Sequence, residues 1–345
     1  MSAFDNAFLF GLLEEKKPKK ILEIGVAAGA TTLMLLSYMQ ENLPESKLYS
    51  IDYLVDYYRD QTKKSGFLAS KSFSESPQWK LFLGTTFPLV ADEIGGDVDF
   101  CILDTVHCLP GELLDFIAML PYMKDGSIVV LHDVQLPLNI PDGPYDDRTL
   151  FAYATKIVLD VAKGKKIICR LPDVHHGLAN ISAIVIDKET RASIKDLFSA
   201  LSLIWYYIPP KKDTKVYADF YERHYTAEYA NYFRRVVSAQ TETAPKLQHL
   251  FDKIRHRELL LTEVEECRKA AENFKRDSEK YRLSAEEYSA KAEKYRILSE
   301  ESKEIAEKYR IIAEEYIGIK EYLKSILPRF AVQGMKKLIS RIIKK

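Results

Sequence analysis

The chain has 345 residues, with 50 Lys+Arg against 50 Asp+Glu and so no formal net charge. That balance argues against a dedicated nucleic-acid binder, whose domain would be strongly basic, and 47% hydrophobic residues allow a sizeable core rather than wholesale disorder. The neutrality hides an asymmetry: the segment from Tyr322 to Lys345 holds seven basic residues and no acidic one, leaving 43 basic and 50 acidic residues in the body.

Up to about residue 205, apolar runs of strand length alternate with helical periods. Lys20–Ile24 reads as a buried strand closed by glycine, Thr31–Gln40 as a helix and Lys47–Asp52 as a second strand. Trp79–Leu83 and Val98–Leu103 are the third and fourth strands, and a helix from Gly111 to Leu120 leads into a fifth at Ser127–Leu131. Lys165–Cys169 and Ile181–Ile186 follow, then a helix over Glu189–Leu203. Strands that are apolar throughout, separated by helices, imply an α/β fold: a doubly wound, Rossmann-like, mostly parallel sheet covered on both faces.

Composition changes after Pro209-Pro210. Val216–Gln240 is helical and tyrosine-rich, and Pro245 marks a break. Beyond it, Phe274, Tyr281, Tyr288, Tyr295, Tyr309 and Tyr316 share a 7-residue register with Ser302 in the gap, while Ala285, Ala292, Ser299, Ala306 and Ala313 sit four residues later. Small residues at a and aromatics at d make a heptad seam, and Glu-Lys-Tyr-Arg recurs at 279, 293 and 307. The expectation is a long helical coiled-coil extension that makes a homo-oligomer, with a single solvated helix held by local ion pairs as the alternative. At the end, Ala331, Val332, Met335, Leu338, Ile339, Ile342 and Ile343 share one helical face and lysines and arginines the other. Such a helix can lie on an anionic membrane, dock on a partner or fold back on its own domain. The domains expected are 1–210 for the α/β body, 211–244 for a helical connector, 245–323 for the coiled coil and 324–345 for the basic amphipathic helix.

Cys101, Cys108, Cys169 and Cys267 are too few and too scattered for a disulfide framework or a zinc site, and fit thiols in a reducing compartment. No apolar run approaches the roughly 20 residues of a spanning helix, and Asp5 with Glu14-Glu15 are unlike a signal peptide. The expected location is cytoplasmic, with the basic tip as a peripheral contact for the inner face of the membrane.

The sharpest local signal is Glu23-Ile24-Gly25-Val26-Ala27-Ala28-Gly29 after the first strand. Gly25 permits a tight turn and Gly29 a close approach, with helix amides following at the sheet's C-terminal edge. Asp52 ends the next strand, where an acid can accept both hydroxyls of a ribose. The Gly-Lys-Ser/Thr of a P-loop is absent, so a nucleoside-containing cofactor is expected and a nucleoside triphosphate is not.

These residues resemble the first motif of the class I S-adenosylmethionine-dependent methyltransferases, with Ala27 at the middle glycine. Asp99-Phe100-Cys101-Ile102-Leu103-Asp104-Thr105-Val106-His107, and later Ile128-Val129-Val130-Leu131-His132-Asp133, are similar to a bacterial branch of macrocin O-methyltransferase-like and cephalosporin-hydroxylase-like proteins. There a fourth strand ends in Asp-Gly-x-His and a fifth in His-Asp; here Thr105 stands at the glycine and Cys108-Leu109 replace Ser-Tyr. The likeness spans about residues 15 to 190. It implies that Gly25, Ala27 and Gly29 line the methionine part of the cofactor with Glu23 near its amino group, that Asp52 holds the ribose, and that Thr85 lies near adenine with Asp104 beside the cofactor.

Asp104, His107, His132 and Asp133 then meet at the ends of two neighbouring strands. A hydroxyl must lose its proton as it takes a methyl group, which needs either a general base, here His107 or His132, or a divalent ion. The resemblance implies Mg²⁺ on Asp104 and Asp133; a third reading is that these groups only brace the loops. The segment Leu136–Arg148, with Asp142, Tyr145, Asp146 and Asp147, is placed to overhang the site as a lid suited to a sugar. His175-His176 reads as an ordinary loop pair. The function expected is methyl transfer from S-adenosylmethionine to a hydroxyl of a sugar or glycan precursor, with a degenerate methyltransferase-like scaffold as the alternative.

Overall fold

The computed structural model describes residues 1–138, 151–170 and 178–300, the side chains of 251, 254, 255, 258 and 293–300 apart. The chain divides into two compact units, Met1–Leu250 and Phe251–Lys345. The first is built on β1 (Lys20–Ile24), β2 (Lys47–Asp52), β3 (Trp79–Leu83), β4 (Val98–Leu103), β5 (Met123–His132), β6 (Lys166–Ile168) and β7 (Ile181–Val185), in the sheet order β3-β2-β1-β4-β5-β7-β6. The four pairings from β3 to β5 are parallel, whereas β7 lies antiparallel between β5 and β6. This is a doubly wound, mostly parallel α/β sheet of Rossmann-like topology, closed at one edge by an antiparallel pair.

Period-2 alternation splits the core into two layers. Cys101, Leu103, Val129 and Leu131 point to one face, where they join Phe87, Phe116, Phe198 and Phe220. Phe100, Ile102, Ile128 and Val130 point to the other, against Leu9, Leu13, Leu35 and Met39. Strands buried on both sides explain why their sequences read as unbroken apolar runs.

Helices α1 (Ala3–Lys16) and α2 (Ala30–Asn42) cover the second face. The first is covered by α4 (Phe87–Ile94), α5 (Gly111–Met119), α6 (Ala154–Val161), α8 (Ile194–Ala200) and α9 (Lys211–His224); α3 (Phe67–Phe73) and α7 (Lys188–Ala192) complete the set before α10 (Ala227–Glu300). Two sequence expectations change. The helix placed over Glu189–Leu203 is two short helices meeting at Ser193, whose amide bonds back to Glu189 and Thr190. The tyrosine-rich stretch Val216–Gln240 is also interrupted, at Tyr225, where φ is −124° and ψ −104°.

That stretch packs into the core. Phe220 stacks on Tyr122 with ring centroids 6.0 Å apart, and Tyr217, Tyr221 and Tyr225 bond to Asp115 Oδ1 (2.6 Å), the Leu114 carbonyl (3.1 Å) and the Ile117 carbonyl (2.6 Å). A tyrosine buries its ring while its hydroxyl finds a partner, so tyrosines that made the segment look polar bind it to α5.

Pro245 does not break the helix: α10 runs through it. The missing N–H leaves the Thr241 carbonyl without its helical donor, but both residues are exposed, so water can satisfy it. In the second unit the described helix carries ion pairs within itself, Arg268 with Glu265 and Glu272, and Arg282 with Glu279 and Glu286. No helix among the described residues is long and apolar enough to cross a membrane. The lid segment beyond Leu138, His175-His176, the seam beyond residue 300 and the amphipathic helix 324–345 lie outside the described residues.

Candidate active site

The end of β1 is tied on both sides: Gly25 N–H donates to the Ile51 carbonyl (2.9 Å) and Asp104 N–H to the Ile24 carbonyl (3.0 Å). The loops after β1, β2 and β4 therefore open together. Gly25 has φ 96°, and a Cβ there would lie 1.9 Å from the Asp104 carbonyl oxygen. Gly29 has φ 83°, and its Cβ would lie 2.8 Å from Gly66 Cα, so the close approach it permits is to another backbone segment of this chain.

Asp52 fixes the turn. Its Oδ2 accepts from Val26 N (3.1 Å) and Ala27 N (2.8 Å), and its Oδ1 from Leu54 N (2.8 Å). A carboxylate offers about four acceptor positions, so capacity for a ribose hydroxyl remains on the residue that shapes the loop. Glu23 lies beneath, almost wholly buried, and its Oε2 accepts from Thr32 Oγ1 (2.8 Å) and Ser50 Oγ (2.6 Å). Oε1 has no hydrogen-bond partner. Burial pushes this carboxyl up to about 7, against the Ser50 and Thr32 bonds and with the help of the Asp104 and Asp52 charges.

Beyond the ends of β2 and β3 lies a cavity of about 330 Å³, lined by Tyr53, Gly84, Thr85, Thr86, Leu89 and Asp213 among others. Thr85 is thus brought beside Asp52, whose carbonyl bonds to Gly84 N (2.9 Å). Asp213, from α9, accepts the Tyr53 hydroxyl at 2.8 Å.

On the other side of the turn, Asp104, His107, His132 and Asp133 converge as expected. His107 Nε2 stands 3.1 Å from Asp133 Oδ2 and 3.7 Å from Asp104 Oδ1, while His132 Nδ1 stands 3.2 Å from Asp133 Oδ2 and 3.4 Å from Asp104 Oδ1. Asn180 Nδ2 donates to Asp133 Oδ1 at 2.6 Å. Ala27, His107 and Asp133 all have left-handed φ, 48°, 63° and 58°. Such backbone costs about 1 to 3 kcal/mol a residue and gathers where side chains must be aimed.

Two members of the cluster escaped the sequence reading. Glu112 is fully buried, and its Oε1 accepts from His107 N (2.5 Å) and Thr105 N (3.2 Å) and lies 3.3 Å from His107 Nδ1. Asp5, buried on α1, places Oδ2 3.3 Å from His132 Nε2 while the same oxygen closes a capping box with Ser2. Each histidine is held between carboxylates on both of its nitrogens.

The charges follow. Burial works against an ionised His107 ring, but the hydrogen bond and charge of Glu112, then Asp104 and Asp133, hold it up to about 9. His132 is likewise raised above its ordinary value, by Asp104, Asp133 and Asp5 against burial. Burial would raise Asp104 and Asp133, yet the two rings keep both carboxyls below the usual carboxylate range. The surrounding carboxylates thus favour the imidazolium form of both rings.

Among the described residues, one set of three groups can face a single cation: Asp104, His107 and Asp133, whose ligand atoms lie within 4.8 Å of one another. Two carboxylates and an imidazole fit a divalent ion, and the nitrogen favours Mn²⁺ or a later transition metal over Mg²⁺, which prefers oxygen.

Three solved structures share the likeness at low identity. The O-methyltransferase TomG of Streptomyces achromogenes, involved in tomaymycin synthesis and bound to SAM, is 18% identical over 54% of this chain and 82% of its own, with a TM-score of 0.39. An O-methyltransferase of Bacillus cereus in complex with SAH is 14% identical over 54% and 82%, with a TM-score of 0.37. The SAH-bound methyltransferase PaMTH1 of Podospora anserina is 15% identical over 54% and 80%, with a TM-score of 0.38. No curated protein matches the chain. Residues 22–134 match the family model described as a methyltransferase domain, a span that runs from β1 to the turn after β5 and holds Glu23, Gly25, Asp52, Thr85, Asp104, His107, Glu112, His132 and Asp133.

Proposed function

We propose that this chain transfers a methyl group from S-adenosylmethionine to a hydroxyl oxygen, on a sugar or glycan precursor. The observation that carries the reading is the shared opening of the Gly25–Gly29 turn, pinned by Asp52, and the Asp104–His107–His132–Asp133 cluster across the β1–β4 junction. When bound, S-adenosylmethionine supplies a methyl on a positively charged sulfur. Asp52 has acceptor capacity left for the ribose, the cavity beside Thr85 suits the adenine ring, and Glu23 Oε1 is a buried acceptor without a partner.

In the transfer the acceptor oxygen bonds to the methyl carbon, the carbon–sulfur bond breaks, and the hydroxyl proton leaves. The carboxylates around them favour protonated His107 and His132, which disfavours either ring as the base while those charges stand. Either ring becomes a base only once the negative charge around it is neutralised. A divalent ion, for which Asp104, Asp133 and His107 Nε2 are the donors, would lower the pKa of the acceptor hydroxyl.

A radiolabelled methyl donor, offered with a panel of nucleotide-activated sugars, tests the reading. Expected is label on a sugar oxygen, lost in EDTA and restored by Mg²⁺ or Mn²⁺. Label on a nitrogen, or full turnover in EDTA, would overturn the acceptor class or the metal role respectively.

A further inference from the structure

We propose that the heptad seam of α10 pairs with the same seam of a second copy of this chain, running antiparallel. In the second unit Phe274 and Tyr281 are exposed at 63% and 60%, with Tyr288 one heptad further at 55%. The positions between them on the seam are small: Ser278, Ala285 and Ala292, all exposed. In the sequence the alternation continues to Tyr316, with a break at Ser302.

Orientation follows from size. A parallel pair sets like against like, so alanine-on-alanine layers would alternate with tyrosine-on-tyrosine layers along one axis. Packed helices stand about 8 to 10 Å apart according to the side chains between them. A helix cannot change that spacing every half heptad, about 5 Å along its length. An antiparallel pair sets a against d, so each aromatic of the seam meets a small residue and, the break at Ser302 apart, one spacing serves it. The flank does not oppose a second copy, because Arg268 and Arg282 are each neutralised by two glutamates of their own helix.

The chain carries its own probe. Cys267 is exposed and lies on the d row one heptad before Phe274, whereas the other three cysteines are buried. In a parallel pair the two Cys267 would face each other within disulfide reach, Cα atoms under about 7 Å apart. In any antiparallel register a d residue faces an a residue, so the two Cys267 share no layer.

The test is sedimentation of the full-length chain at tens of micromolar, then mild oxidation on non-reducing gels. The proposal requires a dimer that gives no Cys267–Cys267 crosslink. A monomer, a higher oligomer or a Cys267–Cys267 dimer would each overturn it. The outcome is independent of methyl transfer.

Discussion

His107 Nε2 and Asp133 Oδ2 meet at 3.1 Å, and both residues reach that contact on left-handed backbone. Asparagine tolerates this conformation, so Asp133→Asn removes the charge with little strain. With the neighbouring acid neutral, His107 should titrate below its value of about 9, while Glu112 and Asp104 still hold it above the ordinary 6.5. NMR titration of the ring checks this; an unmoved value would mean Glu112 and Asp104 set the charge without Asp133. The sign for stability follows from the raised value: the His107 contribution is complete below about pH 6.5 and disappears as pH climbs through about 9.

Gly25 and Ala27 make opposite predictions within one turn. Gly25→Ala drives a methyl into the Asp104 carbonyl and should abolish folding or shift the β1–β4 junction, seen as loss of several kcal/mol, on the order of a severe core defect. Ala27→Gly relieves a left-handed alanine and should stabilise by about 1 kcal/mol. Denaturant midpoints measure both. A destabilised Ala27→Gly would show that the methyl packs usefully.

Glu23 gives a pH-dependent stability of the opposite sign to a salt-bridged acid. Its folded value of about 7 lies above the ordinary 4.5, so the folded state holds the proton more tightly and stability falls as pH rises from about 4.5 through 7. Glu23→Gln should remove a penalty on the order of 3 kcal/mol at pH 8 and leave stability at pH 4.5 nearly unchanged. Thermal melts at the two pH values decide it; parallel shifts at both would contradict the assignment.

Tyr217→Phe tests the docking of α9. The hydroxyl donates to Asp115, whose carboxyl burial pushes up to about 7 against that bond. Removing the donor should cost about 1 to 3 kcal/mol, the usual penalty of an orphaned buried partner, and raise Asp115 further. An unchanged melting temperature would mean that water replaces the phenol.

The parts of the site legible in the sequence are those written within a few residues of a strand end. Gly25, Gly29, Asp52, Asp104, His132 and Asp133 each sit at such a boundary, where turn chemistry and hydrophobic pattern change together. Asp5 was not legible, because nothing local links a capping residue to a histidine 127 positions away. Glu112 carried a weaker signal: an acid in the first turn of α5 reads as an ordinary helix-dipole residue, and only complete burial reveals its bonds to His107. Likewise periodicity cannot show that the Tyr217 and Tyr221 hydroxyls of α9 each have a partner on α5. The antiparallel insertion of β7 leaves no local trace either, since a strand buried on both faces reads alike in both directions.

The central claim is a working S-adenosylmethionine pocket. Calorimetric titration of the full-length protein with S-adenosylhomocysteine, beside Asp52→Ala, tests it most directly. Micromolar binding in the wild type, lost in a variant that remains folded by circular dichroism, is the result the account predicts. A folded wild type that binds nothing would contradict it.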